Sequence, residues 1–180
     1  MTTWPVNSLI KSIDMKIKAE FKKLPTSASH NCFACSPVNP AGLHMIFFAH
    51  AESVYSRVTI PEHLCGWNNV AHGGVVSTIL DETMSWAAMY LLKRVSLTQS
   101  MTVEFIKPVT ISTLMEAESK VVELQGKRDA IIEGVLTNAD GKICATSRGI
   151  FKTFSPAVAK RLKIADENLL EWFHSLFEKE

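Results

Sequence analysis

The chain has 180 residues, 47% of them hydrophobic, with 19 basic and 18 acidic side chains and a formal net charge of +1. A chain of this size buries about seven tenths of its unfolded surface in a single core, and its balanced charge offers neither a basic footprint for nucleic acid nor an acidic tail. Asp81 and Glu82 break the longest apolar run, and the first residues lack an apolar core followed by small residues, so neither a membrane span nor a signal peptide is expected.

Ile10, Ile13, Ile17, Phe21 and Leu24 recur at helical spacing among lysines, which predicts a surface amphipathic helix over residues 8–24, ending before Pro25. From Cys32 to Gly42 the chain carries turn chemistry, with Pro37, Asn39, Pro40 and Gly42. Leu43–His50 and Ser53–Ile60 are rich in β-branched and aromatic residues and form a predicted hairpin. A long helix is predicted from Val75 to about Leu92, followed by strands over Leu97–Ile106, Leu114–Leu124 and Ala130–Asn138. Asp140-Gly141 then marks a hairpin turn into a last strand over Lys142–Phe154, and Asn168–Phe177 has helical spacing again. The order is α+β, with a curved antiparallel sheet required to cover the long helix.

Four cysteines with only Cys32 and Cys35 close together do not make a disulfide framework, and they point to a reducing compartment, the cytoplasm. His30, Cys32 and Cys35 invite a metal reading, since Cys-x-x-Cys is one half of a zinc site. With Cys65 and Cys144 isolated, the other half is missing; small buried side chains in a tight loop are preferred, and no metal or cofactor is expected.

The richest segment is His72-Gly73-Gly74 followed by an apolar helix that carries Asp81 and Glu82. The first N–H groups of a helix lack partners within it and sit at the positive end of its dipole, and two glycines leave them open to a substrate oxygen. Ser77, Asp81 and Ser85 recur every four residues as one polar seam, with Thr78 and Glu82 beside it. An acid on a buried helix is costly without a partner or a task. Consecutive helix residues point about a hundred degrees apart, so only one of Asp81 and Glu82 faces the glycine loop, and Asp81 is the expected catalytic acid. His72 is read as helix cap and loop support, with direct substrate contact as the lesser alternative, because no serine or cysteine nucleophile accompanies it.

These residues resemble the single-domain hotdog thioesterases, in particular the phenylacetate-pathway (PaaI-like) type and its human thioesterase-superfamily relatives. The likeness covers about residues 31–154 and rests on His72-Gly73-Gly74 with Leu80-Asp81-Glu82, on Cys32-Phe33-Ala34-Cys35 with Asn39-Pro40-Ala41-Gly42-Leu43, and on the strand Thr98 to Phe105 closing with Lys107-Pro108. It implies a hotdog domain over residues 27–156, with helical extensions at 1–26 and 157–180, that hydrolyses acyl-CoA thioesters. It also implies that Gly73 donates its N–H to the thioester oxygen, that Asp81 acts as nucleophile or general base, and that Thr98 helps position water. Two departures stand out. Gly66 occupies the place six residues before the histidine where many relatives have asparagine, so Asn68 and Asn69 are the candidates to hold the loop and the substrate. Ser36 replaces a frequent glycine after the second cysteine.

His72, Gly74, Asn68, Asn69, Lys107 and Arg128 are accordingly the expected substrate contacts, the last two with Lys127 for the CoA phosphates. Met84, Trp86, Met89 and Phe105 form either an acyl pocket or ordinary core. A hydratase or dehydratase on acyl thioesters and a non-catalytic acyl-thioester binding module are the rival functions. Gly73 and Asp81 are eight residues apart, about 12 Å along one helix. One carbonyl cannot meet both, so a site shared between subunits of a homodimer or dimer of dimers is expected.

Overall fold

The computed structural model describes residues 21–177. In chain order it forms β1 (Lys22–Leu24), β2 (Ile46–His50), β3 (Ser53–Thr59), a short ribbon of β4 (Cys65–Trp67) and β5 (Val70–Ala71), the long helix α1 (Gly73–Leu92), β6 (Val95–Phe105), β7 (Leu114–Gln125), β8 (Asp129–Asn138), β9 (Ile143–Phe154), α2 (Pro156–Arg161) and α3 (Glu167–Ser175). The main sheet runs β1-β2-β3-β7-β8-β9-β6, antiparallel throughout. This is the hotdog fold: one curved sheet wrapped around one central helix.

Irregularities curve the sheet. Register shifts interrupt the pairing between Val121 and Glu123, between Leu136 and Thr137, and between Thr98 and Ser100, and an extra residue in one strand bends it and increases its twist. Inside the curve, α1 buries Val76, Ile79, Leu80, Thr83, Met84, Trp86, Ala87 and Ala88, faces too widely spread for an amphipathic stripe. Trp86 stacks on Phe47 of β2 with ring centroids 4.1 Å apart. Where the helix comes nearest to β8, the sheet has Gly134; a Cβ there would meet Met84 Cγ and Ser119 Oγ at 3.1 Å and Leu80 Cδ2 at 3.3 Å. The helix ends at Lys93, whose φ of 53° turns the chain left-handed into β6.

The hairpin, the long helix and the four later strands lie where the sequence placed them, within a few residues, and Gly141 has the positive φ of 73° that the Asp140-Gly141 turn demands. The final helix begins at Glu167, just ahead of the expected Asn168, because the Asp166 carboxylate accepts the Leu169 N–H at 2.8 Å. The predicted helix over 8–24 lies mostly outside the described residues. Its described end is a correction: Lys22–Leu24 is an edge strand paired with Phe47–Ala49. Leu24 alone of the three is buried, while Phe21 stacks on His50 at 4.6 Å. The sheet supplies backbone partners here that helical spacing could not foresee. Among the described residues, no helix is long and apolar enough to cross a membrane.

Candidate active site

The entrance to α1 is set by its neighbours. The His72 N–H donates to Leu64 O at 3.1 Å and the Ala71 N–H to Val109 O at 2.8 Å, which fixes the ribbon in front of the helix. Gly66 belongs to this support: a Cβ there would lie 3.2 Å from His72 Cα, so a side chain would require the backbone at His72 to give by a few tenths of an ångström. His72 is the cap. Its Nδ1 accepts the Gly74 N–H at 2.9 Å, so its Nε2 carries the ring proton, and its carbonyl accepts from Val75 at 2.9 Å and Val76 at 3.2 Å.

The two glycines therefore differ in role. The Gly74 N–H is already used, and a Cβ at Gly74 would press on the imidazole at 3.1 Å, so Gly74 makes room for the cap and offers no donor to a substrate. The Gly73 N–H, at the same positive helix end, has no hydrogen-bond partner among the described residues. It opens on a cleft of about 320 Å³ lined by Val70, Ala71, Val76, Phe105, Pro108 and Val109, with Ile106 and Lys107 beside them. The corner of the cleft is held firmly, since Cys144 O accepts both the Ile106 N–H at 2.8 Å and the Lys107 N–H at 3.0 Å.

Farther along α1, Thr98 Oγ1 on β6 donates to Asp81 Oδ1 at 2.6 Å. This short bond aims one carboxylate oxygen, and the other has no hydrogen bond among the described residues. Ser85 O accepts from Ser96 of β6 at 3.3 Å, so the Ser77, Asp81 and Ser85 seam runs beneath β6. That strand is a sheet edge with no strand on its outer side among the described residues, and Leu97, Phe105 and Ile106 are exposed along it.

Glu82 turns the other way. Trp86 Nε1 donates to its Oε1 at 3.0 Å, Cys32 Sγ lies 3.9 Å from its Oε2, and burial pushes its carboxyl up to about 7. Within the same cluster, a hydrogen bond from the Cys35 thiol holds Cys32 down to about 5, and that same bond pushes Cys35 up. Sequence reasoning weighed the two cysteines without this glutamate, because the helix brings it to them through the fold and no spacing reveals it.

Other expected contacts are placed as follows. Asn68 takes a φ of 49° in the turn between β4 and β5, and Asn69 O accepts the Ile111 N–H at 3.0 Å; both shape the loop ahead of His72. Lys107 stands at the cleft. Arg128 lies at the opposite end of β6: its carbonyl accepts from Thr153, and the adjoining register runs from Ala130 through Phe151 to Thr98. One subunit thus separates Lys107 from Arg128. Met84 and Trp86 are fully buried core, and Met89 packs against it, while Phe105 alone of the four pocket candidates lines the cleft. Core packing claims the others because α1 is covered on nearly every side.

Residues 68–145 match the thioesterase superfamily. An uncharacterised protein of Schizosaccharomyces pombe is 26% identical over 130 residues, spanning 68% of this chain and 69% of its own. Among solved structures, a thioesterase superfamily protein aligns with a TM-score of 0.61 at 22% identity, over 64% of this chain and 57% of that one, so the match spans less than two thirds of its length. The PaaI protein of the Escherichia coli phenylacetic acid degradation operon aligns with a TM-score of 0.57 at 18% identity, over 63% of this chain and 81% of that one. A hypothetical thioesterase of Streptococcus pneumoniae, solved with coenzyme A, gives 0.54 at 15% identity, over 58% and 83%. At these identities the likeness to the solved structures is one of fold.

Proposed function

We propose that this protein, whose residues 68–145 match the thioesterase superfamily, hydrolyses acyl-CoA thioesters to the free acid and CoA. The observation that carries the proposal is the unpartnered Gly73 N–H at the mouth of α1, facing a largely apolar cleft. A thioester carbonyl gathers negative charge on its oxygen during attack, and a fixed donor placed where that charge develops lowers the barrier. The acyl group lies against Phe105, Val76 and Val109. Lys107 at the rim meets a CoA phosphate, in keeping with the coenzyme A carried by the streptococcal relative. Asp81, aimed by Thr98, either takes a proton from the water that attacks the carbonyl carbon and passes it to the departing CoA sulfur, or attacks that carbon itself, expelling the CoA thiolate and forming an anhydride that water then cleaves to the free acid, restoring the Asp81 carboxylate and supplying the thiolate's proton.

Asp81 reaches that carbon from a second subunit. Pairing two copies of the exposed edge β6 about a twofold axis extends the sheet, covers Leu97 and Phe105, and sets each Gly73 beside the partner copy's α1. It also brings the Arg128 end of one chain toward the Lys107 end of the other, which supplies two cations to one CoA. All four cysteines are free, in keeping with work in the reducing cytoplasm.

The test is release of free thiol from short, medium, long and aromatic acyl-CoAs. Turnover with at least one class, abolished in Asp81→Asn while substrate still binds, is the expected result. Tight binding of every acyl-CoA without turnover would make the protein a binding module instead. Loss of turnover in Glu82→Gln together with an active Asp81→Asn would move the acid to Glu82.

A further inference from the structure

We propose that Cys32, Cys35 and Glu82 form a binding site for one divalent cation of the zinc class, which ties the loop before β2 to the central helix. One ligand atom from each of the three residues lies within 4.8 Å of the others, and Cys32 Sγ stands 3.9 Å from Glu82 Oε2. Around a tetrahedral zinc, with sulfur at about 2.3 Å and carboxylate oxygen at about 2.0 Å, neighbouring ligand atoms are separated by about 3.5–3.8 Å. The side chains close on a metal by moving about an ångström or less.

The ligands are held in advance. Ser36 N–H donates to Cys32 O at 3.1 Å, Leu43 N–H to Phe33 O at 2.7 Å and Met45 N–H to Ala34 O at 3.0 Å, so the Cys-x-x-Cys turn is locked to the chain that enters β2. The Trp86 indole occupies Glu82 Oε1 and leaves Oε2 facing the thiols, the kind of outer hydrogen bond that orients a metal-binding carboxylate. Trp172 of α3 covers Trp86 edge-on at 5.5 Å.

Charge makes the same case. Glu82 forms no ion pair with a lysine, arginine or histidine among the described residues, and a partly buried carboxylate beside two thiols has no paired cation to offset the desolvation of its charge. A bound dication supplies it, and both thiols give up their protons to solvent as it binds. Two thiolates select a borderline-soft ion over magnesium or calcium. Three protein ligands leave a fourth position, and half-buried Cys32 opens it to water. Cys65 is exposed, and Cys144 Sγ faces Lys142 O at 3.5 Å; neither belongs to the cluster. Glu82 adjoins Asp81 in sequence, so the metal steadies the helical turn that carries the candidate acid. The proposal does not depend on thioester hydrolysis.

The experiment loads the full-length protein, kept reduced with a phosphine and freed of metal by chelation, first with cobalt(II) and then with zinc. The expected result is one metal per chain, a near-ultraviolet thiolate-to-cobalt absorption with tetrahedral visible bands, and displacement of cobalt by zinc. Zinc should raise Tm for the wild type and for Cys65→Ser but not for Cys35→Ser. Glu82→Gln should weaken zinc binding at least tenfold. Trp86→Phe, which keeps all three ligands, should weaken it by about tenfold through the lost orienting bond. Circular dichroism of the metal-free variants separates a lost ligand from a lost fold, and if Glu82→Gln does not fold, the Trp86→Phe affinity carries the same test. Absence of the cobalt absorption in folded, reduced wild type overturns the proposal. So does undiminished zinc binding in Cys32→Ser/Cys35→Ser, or formation of a Cys32–Cys35 disulfide on exposure to air with no metal taken up before oxidation.

Discussion

Substituting Gly73 should separate catalysis from folding. A Cβ at this position would stand 3.5 and 3.6 Å from Phe105 Cζ and Cε1, ordinary contact with a side chain at the cleft, and Gly73 has no positive φ. Alanine therefore fits. Valine also fits the backbone, but its two methyl groups occupy the space in front of the Gly73 N–H where the thioester oxygen must come. Losing one oxyanion donor reduces kcat by about 10²–10³, or about 2.7–4 kcal/mol of transition-state stabilisation. Helix propensity makes residue 73 no less stable as valine than as glycine, with differences below about 1 kcal/mol. The assay is thiol release at saturating acyl-CoA, set beside the urea midpoint of the same preparations. Gly73→Val should lose two to three orders of magnitude in kcat at an unchanged midpoint, with Gly73→Ala between it and wild type. A folded Gly73→Val with wild-type kcat would refute the placement of the oxyanion at this N–H.

Two further outcomes follow from distances in the structure. Thr98→Val removes the 2.6 Å bond to Asp81; a hydrogen bond to a charged group contributes about 1.5–3 kcal/mol, so kcat should fall about ten- to a hundredfold, and Thr98→Ser should restore most of it. Equal activity of the valine and serine variants would show that the bond does not orient the acid. Gly134→Val forces side chain into the contact with Met84, Leu80 and Ser119 and should cost about 1–3 kcal/mol in urea unfolding; an unshifted midpoint would mean that helix and sheet part there without penalty.

How far the sequence could be read depended on how much of each signal was local. α1 was legible because its apolar residues run all round it and His72-Gly73-Gly74 marks its start. β7 to β9 were legible because turn residues such as Asp140-Gly141 separate runs of strand-forming residues. β1 was hidden: three residues with one buried side chain carry no period, and their hydrogen bonds belong to β2. The ribbon of β4 and β5 was too short to read for the same reason. Within the site, the roles of Gly73, Asp81 and Thr98 were read through family likeness alone; the Thr98 to Asp81 hydrogen bond was not foreseen, since the two meet only when β6 packs on α1. The division of labour between Gly73 and Gly74 was not legible, since it depends on the rotamer of His72. Nor was the meeting of Glu82 with Cys32 and Cys35, which exists only once the loop is folded onto the helix.

The central claim is that Gly73 of one subunit and Asp81 of another act on the same carbonyl. It is tested by mixing two inactive, folded variants, Asp81→Asn and Gly73→Val, and following acyl-CoA turnover as subunits exchange. Each mixed dimer then holds one intact site, so an equal mixture that exchanges randomly should recover about a quarter of wild-type activity. If native mass spectrometry shows that mixed dimers have formed and turnover stays at the level of the separate variants, the shared site is contradicted.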